Sequence, residues 1–523
     1  MTDEAQVGRD PSSDWPDLLA GTPGRPATRL RSPGPTRDPP PAAHRRPPED
    51  PSIDDAVAAP PSAQSPPSRA QALRARLERL ILAAHTFRAW PRAPLALLGA
   101  VSLLSLGARI YRLDDPYDSS THTGGLIFDE KYYVNAARVI LRIPIPCHSG
   151  GGCDPYSTIA GGHDPNSEHP PLGKLIIAAG MKALGDNPIG WRIFPVIFGC
   201  IAIGAMYWLV RSAGGGGWLA LGAAALMAVD NLSMLHGRIA TLDVFVVVFM
   251  LVAAGLYLRG RPVVAGVVLG VGCCIKLVAP QVLIALLLIE ALRVVAHREW
   301  RLGWRVPTAR ALPLLYCGAA ATVVYLGLLE VLDLAVRPYH DPGDANCPGP
   351  GDFTNALTHT RFMLCYAGRL VSPRGPVGIE SYPWQWLLNE SSINYYSVTV
   401  TETIGSDKLV HPLIAFQGLM NPAIILLTLP ALGVAVATLL RERDDISALA
   451  IAWCLGTFLP FVALAWFGHR KSYLYYMVVV LPGVYIAVAR LLSRRLLARA
   501  ALAGYVCILG YEFWTLYPFR TWF

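Results

Sequence analysis

Runs of about twenty apolar residues recur along this chain, and nothing else in the sequence restricts its fold as sharply. A helix that crosses a bilayer needs roughly 20 such residues, because no water is present there to satisfy exposed backbone groups. Qualifying runs fall at 94–112, 190–210, 216–235, 239–258, 262–279, 281–297, 311–333, 422–440, 446–467, 473–491 and 496–516. These predict an all-α integral membrane protein with about 11 transmembrane helices. Only 16% of the 523 residues are charged, against roughly 25% in a soluble globular chain. The net charge of +8 is carried by short basic clusters between apolar runs. That distribution suits loops facing an anionic leaflet and excludes nucleic acid as a partner.

The segment before the first run has another character. Sixteen of the 44 prolines precede residue 70, among Ser, Asp, Arg and Ala. Such a composition buries too little apolar surface to order itself, so residues 1–75 are expected to form a disordered cytoplasmic tail. The stretch 70–87, with ALRARLERLILAAH, predicts a short amphipathic helix on the membrane surface. With the N-terminus inside, Arg211, RGR (259–261), HREWRLGWR (297–305), RER (441–443) and RLLSRR (490–495) all face the cytoplasm, as the positive-inside bias requires. An odd number of spans then leaves the C-terminus outside.

Two long external loops result, 113–189 and 334–421, expected to carry short helices and function. The chain divides accordingly into the tail, a transmembrane module at 76–333 that includes the first loop, the loop 334–421, and a four-helix module at 422–523. Four of the ten cysteines lie in the loops. On an oxidising face, proximity favours Cys147–Cys153 and Cys347–Cys365, although four cysteines allow three pairings.

Charge inside so apolar a chain marks the candidate chemistry. Asp129 and Glu130 stand side by side in FDEKYYVNAARVI of the first loop, where they could also be helix N-terminal charges complementing the dipole. The same loop continues to EHPPLGKLIIAAG (168–180). There two prolines extend the backbone ahead of an interfacial helix and hold His169 and Lys174 near the head groups. Arg238 and Asp243 fall at and just inside the external start of one span, and Lys276 at the external end of the next, positions where an ionisable group is costly. Asp243 is expected to pair with Arg238 or another nearby cation. His469, Arg470 and Lys471 form the one short basic cluster that the topology forces outside, which points to an anionic ligand. Trp384, Trp386, Tyr395 and Tyr396, in SYPWQWLLNESSINYYSVTV, could line a sugar- or peptide-binding surface or belong to an interfacial aromatic belt.

An acidic pair in loop one followed by HPPLGK resembles the protein O-mannosyltransferases, glycosyltransferases of the GT-C class. DNLSMLHGRIATLDVFVVVF (230–249), GVGCCIKLVAPQ (270–281) and HRKSYLYYMVVVLPGVY (469–485) are similar to further segments of that family, so the resemblance runs from about 90 to 520. It implies transfer of mannose from polyprenyl-phosphate mannose to Ser or Thr hydroxyls, with inversion, on the outer face of the plasma membrane. Asp129 would be the general base, with Glu130 positioning it or the acceptor. Arg238, Lys276, His469, Arg470 and Lys471 would bind the donor phosphate. His169, Lys174, Asp243, Trp384 and Trp386 would contact substrate. No metal or cofactor is implied. The partners are the lipid-linked donor, acceptor polypeptides, membrane lipid and, as a candidate, the secretion channel. The second loop, at about 87 residues, is too short for the β-trefoil domain of eukaryotic members. Two other readings stay open at this point: transfer to a lipid or glycan acceptor, as in aminoarabinose or arabinose transferases, and a transporter.

Overall fold

In the computed structural model the described residues are 76, 78, 90–116, 125–148, 152–302, 305–339, 347, 353–404, 407–494 and 499–519. The expected tail at 1–75 lies outside them, as does the surface helix at 70–87 apart from the helical Arg76 and Glu78. The unit considered below is Arg76–Phe523.

Helices dominate. Six are long and apolar enough to cross a membrane: α1 (Ala93–Ile110), α4 (Pro188–Ser212), the Thr308–Ala335 part of α10 (Arg305–Ala335), α13 (Pro422–Glu442), α14 (Asp445–Gly468) and Leu474–Ser493, which ends in α15 (Met477–Ser493). Between them lie α2 (Glu130–Leu141), α3 (Leu172–Leu184), α5 (Gly217–Val229), α6 (Asn231–His236), α7 (Asp243–Leu258), α8 (Pro262–Cys273), α9 (Gln281–Ala296), α11 (Ala356–Arg369) and α12 (Pro383–Trp386), with α16 (Arg499–Thr515) last.

Three runs read as continuous spans are interrupted. The run at 216–235 breaks at Asp230, whose carboxylate caps α6 by accepting from the Ser233 amide at 2.9 Å. The run at 239–258 turns helical only at Asp243, and that at 262–279 stops at Cys273, leaving 274–280 as turns before α9. Hydropathy averages over such breaks, because a capping side chain replaces the lost backbone bonds without changing the apolar count.

The expectation of an all-α chain is corrected in the second external loop. Besides α11 and α12, a long antiparallel hairpin stands there, β3 (Ile393–Ile404) with β4 (Asp407–Gly418). Its sequence, INYYSVTVTETI, is rich in β-branched and aromatic residues. Ile393 and Tyr395 are buried while Asn394 between them is exposed, the period of a strand. The inner end of β4 is tied down: Ile414 bridges Phe519, and the Ala415 amide donates to the Pro518 carbonyl at 2.8 Å. A second ribbon, β1 (Cys147–His148) with β2 (Gly152–Cys153), is closed by the Cys147–Cys153 disulfide, and Cys347 is bonded to Cys365.

Packing sets the site. α4 contacts α1, α3, α5 and α7, and α3 also contacts α2, while α8 lies along α10 and α14 lies between α9 and α15. The start of α3 presses against both helix breaks: the Leu172 amide donates to the Cys274 carbonyl at 3.1 Å. At Gly173 a Cβ would come within 2.6 Å of Leu242 and 3.2 Å of Ile275, so only glycine admits this approach. HPPLGK is thereby set beside the segments that carry Asp243 and Lys276.

Candidate active site

The turn before α2 separates the acidic pair into two roles. Phe128 adopts φ +55 and Asp129 is the N-cap of α2, so the adjacent side chains leave the turn in different directions. Glu130 points inward and is fully buried against Arg192, also fully buried. One carboxylate oxygen accepts from Arg192 Nε at 2.9 Å and the Ala240 amide at 2.8 Å; the other accepts from Arg192 Nη2 and the Ile127 amide, both at 2.8 Å. Arg192 also donates to the carbonyls of Leu113, Asp115 and Gly125. Glu130 is therefore a fixed joint between loop one, α4 and the 237–242 segment. The expectation that it takes part in chemistry is corrected: its acceptor capacity is consumed.

Asp129 keeps its capacity. Among the described residues nothing donates a hydrogen bond to its carboxylate. Burial pushes its pKa up to about 7, against the pull of Lys276 and Lys131 and with a further push from Asp243. A carboxylate poised there can exchange a proton at neutral pH.

Opposite it the two helix breaks meet. Lys276 Nζ donates to Asp243 at 2.7 Å, and the ammonium lies 5.3 Å from the Tyr475 ring centre and 5.9 Å from that of Tyr476. Asp243 thus pairs with Lys276, and its other oxygen lies 3.7 Å from His236 Nδ1. The imidazole is held from both sides, with Thr241 Oγ1 3.1 Å from Nδ1 and the Tyr395 hydroxyl 3.0 Å from Nε2.

Several other expected ligands are spent elsewhere. Arg238 is fully buried, and its guanidinium donates to the backbone carbonyls of Ala108, Arg109 and Arg112 while lying 4.8 Å over Phe519. It ties α1 to the hairpin's anchor instead of facing Asp243, which corrects its reading as a phosphate ligand. Lys174 is likewise fully buried, paired with Asp164 at 2.6 Å and donating to the carbonyls of Asn166 and His169. It folds the HPP segment back on itself and offers nothing to a head group. Trp386 is completely buried, bonds Ser381 Oγ at 2.8 Å and packs on Phe458, Phe461 and Tyr476, so it is core and not a binding face.

The remaining candidates border open space. His169 is half-buried, its ring 6.1 Å from Tyr133, and burial together with Lys276, Lys174 and Arg470 keeps the imidazole neutral. Its neighbour Glu168, absent from the sequence-derived set, accepts from Asn166 Nδ2 at 2.6 Å, and burial raises it to about 7. His469, Arg470 and Lys471 line a cleft with Ser372, Pro376 and Tyr382. Lys471 pairs there with Glu380 at 3.1 Å and Arg470 donates to the Ala367 carbonyl. Trp384, 38% exposed, stacks on Tyr382 at 4.4 Å beside it. Lys276 and Asp243 therefore act electrostatically on Asp129, and the HRK triad shares its cleft with Tyr382, on which Trp384 stacks.

Arg192 and His236 were not singled out from the sequence, and Tyr395, read there as part of an aromatic binding surface, is instead buried against Phe128 and His236. An arginine within an apolar run, WRIFP, carries the same cost argument that flagged Lys276 and could have found the first. The aromatic content of 381–400 marked Tyr395 but not its place, since it reaches the site through the hairpin.

Comparison with known proteins gives a consistent result. Residues 168–324 match the family described as dolichyl-phosphate-mannose-protein mannosyltransferase. The polyprenol-phosphate-mannose–protein mannosyltransferase of Mycolicibacterium smegmatis is 24% identical over 487 residues, 82% of this chain and 89% of that protein. Its counterpart in Mycobacterium tuberculosis is 25% identical, covering 81% and 87%. Among solved structures, the Saccharomyces cerevisiae protein O-mannosyltransferase Pmt1-Pmt2 complex bound to the sugar donor superposes with a TM-score of 0.56. It covers 81% of this chain and 90% of that one at 11% identity, a likeness of fold. With relatives matching along most of its length and HPPLGK inside the matched region, this chain is a mannosyltransferase similar to the dolichyl/polyprenyl-phosphate-mannose–protein mannosyltransferases.

Proposed function

We propose that this enzyme moves mannose from polyprenyl-phosphate mannose to Ser or Thr hydroxyls of polypeptides, inverting the anomeric carbon, on the external face of the plasma membrane. The observation that carries the reading is a half-buried Asp129, without a hydrogen-bond donor among the described residues, within electrostatic reach of the Lys276–Asp243 ion pair. The acceptor oxygen attacks the anomeric carbon as the bond from that carbon to the phosphate oxygen breaks. The hydroxyl proton passes to Asp129, and the departing lipid phosphate gains a negative charge. Lys276 supports that charge with the protons Asp243 does not occupy. A positioned base contributes about 10²–10⁴-fold to such a step. An external site agrees with the basic loops lying inside on the positive-inside assignment, and with two disulfides in the loops on the opposite side. On the same assignment residues 76–333 form the catalytic module, with 334–421 and 422–523 completing it.

The test is transfer of labelled mannose from the lipid donor to a Ser/Thr peptide in membranes containing the parent, Asp129→Asn or Lys276→Met. Loss of transfer in both variants at unchanged expression is expected, with an α- or β-linked product opposite in configuration to the donor. Full activity of Asp129→Asn would remove the base assignment. Transfer by the parent to a lipid or glycan but to no peptide would replace the acceptor class.

A further inference from the structure

We infer that Tyr395, on the hairpin of the second external loop, is a positioning residue that holds the turn carrying Asp129; the inference rests on Asp129 as the base. Phe128 immediately precedes Asp129 and sits at φ +55, a conformation that a bulky residue keeps only when its surroundings impose it. Those surroundings are two tyrosines. The Tyr395 ring stacks on Phe128 at 4.2 Å and 13°, and the Tyr475 ring meets it edge-on at 5.4 Å. Tyr395 is itself fixed at its far end, where its hydroxyl lies 3.0 Å from His236 Nε2. Through His236 the same tyrosine reaches Asp243, the partner of Lys276. One side chain thus touches the turn bearing the base and the imidazole that stands beside the cation's carboxylate partner.

The hairpin can hold this register because β4 is bonded to Pro518 and bridged to Phe519. Phe519 in turn packs on Phe416 at 5.6 Å and beneath the Arg238 guanidinium. Arg238, which is no phosphate ligand, acquires a reason here: it pins the anchor of β4, the strand paired with the one that carries Tyr395. Released from the stack, Phe128 relaxes toward negative φ and Asp129 swings away from the acceptor.

The experiment compares Tyr395→Ala, Tyr395→Phe, Phe128→Gly and Asp129→Asn in the purified full chain, with kcat and donor KM measured separately. Hydrogen exchange of the amides at 126–131 is followed in the same samples. Displacement of a catalytic group by about 1 Å costs about 100-fold. Tyr395→Ala is therefore expected to lower kcat about 100-fold with donor KM within about twofold, and to speed exchange in the turn. Tyr395→Phe, which keeps the stack and loses only the His236 contact, should recover most of that loss. Phe128→Gly, approached from the other side of the stack, should resemble Tyr395→Ala, and the double variant should be no worse than either single one. Unchanged kcat and unchanged exchange in Tyr395→Ala would overturn the inference, as would equal impairment of the Phe and Ala variants. If Asp129→Asn stays active, the base assignment fails by itself, and the exchange measurement alone decides whether Tyr395 holds the turn.

Discussion

Replacing Asp129 by asparagine should cost activity and return stability, and the size of the return follows from the site. Burial lifts this carboxyl from its usual 3.8 to about 7, outweighing the attraction of Lys276 and Lys131 and helped by Asp243. The folded protein therefore holds the proton more tightly than the unfolded chain. The corresponding contribution to stability is fully present below about pH 4 and is lost as pH rises through about 7. The interval corresponds to about 4 kcal/mol as an upper limit. Asp129 is only half-buried by surface, and water entering its cavity screens the charge, so about 2 kcal/mol is the working figure. Asparagine fills the same space and never ionises. The melting temperature of Asp129→Asn in detergent should match the parent near pH 4, pull ahead as pH rises to about 7, and stay level beyond it. Across the same range the parent's kcat should climb with unit slope and flatten above about 7, as for a base that must be ionised. A variant that melts below the parent at pH 8, or a difference that does not grow with pH, would refute the claim that this carboxylate is a desolvated group without fixed partners.

Two further outcomes separate scaffold from surface. Glu130→Ala strands the buried Arg192 cation and should destabilise the protein by about 3–5 kcal/mol, read as a loss of melting temperature that Arg192→Met in the same chain partly restores. Trp386→Ala opens a cavity beside Phe458, Phe461 and Tyr476 and should cost about 3–5 kcal/mol, whereas Trp384→Ala should alter thermal stability by no more than about 0.5 kcal/mol.

Much of the molecule was legible in its sequence where the signal is local. Apolar runs marked six long helices, and FDEKYY and HPPLGK marked the loop that carries Asp129. The hairpin escaped because its strands lie in a loop judged by length and aromatic content, although the alternation of Ile393, Asn394 and Tyr395 was there to read. The breaks at Asp230 and after Cys273 escaped for a different reason. A capped or turned segment inside an apolar run keeps the run's hydropathy, and only the positions of Asp243 and Lys276 betray it. Arg238 and Lys174 were misjudged because the cost of burying a charge was counted without asking what backbone would satisfy it.

That last error contains the criterion that sorts these charges. Burial alone flagged Glu130, Lys174, Arg238, Lys276 and Asp129 alike, since each is expensive in apolar surroundings. What differs is how much hydrogen-bonding capacity the fold consumes. Glu130 accepts from four donors, Lys174 meets a carboxylate and two carbonyls, and Arg238 meets three carbonyls. Such groups are joints, and their removal should show first as lost stability. Lys276 has one carboxylate for its three protons, and Asp129 has no donor among the described residues. Unused capacity inside a protein is costly to keep, and it persists where a substrate is to fill it. Of these five charges Lys276 and Asp129 keep the most open capacity, and glycosyl transfer requires a cation and a proton acceptor.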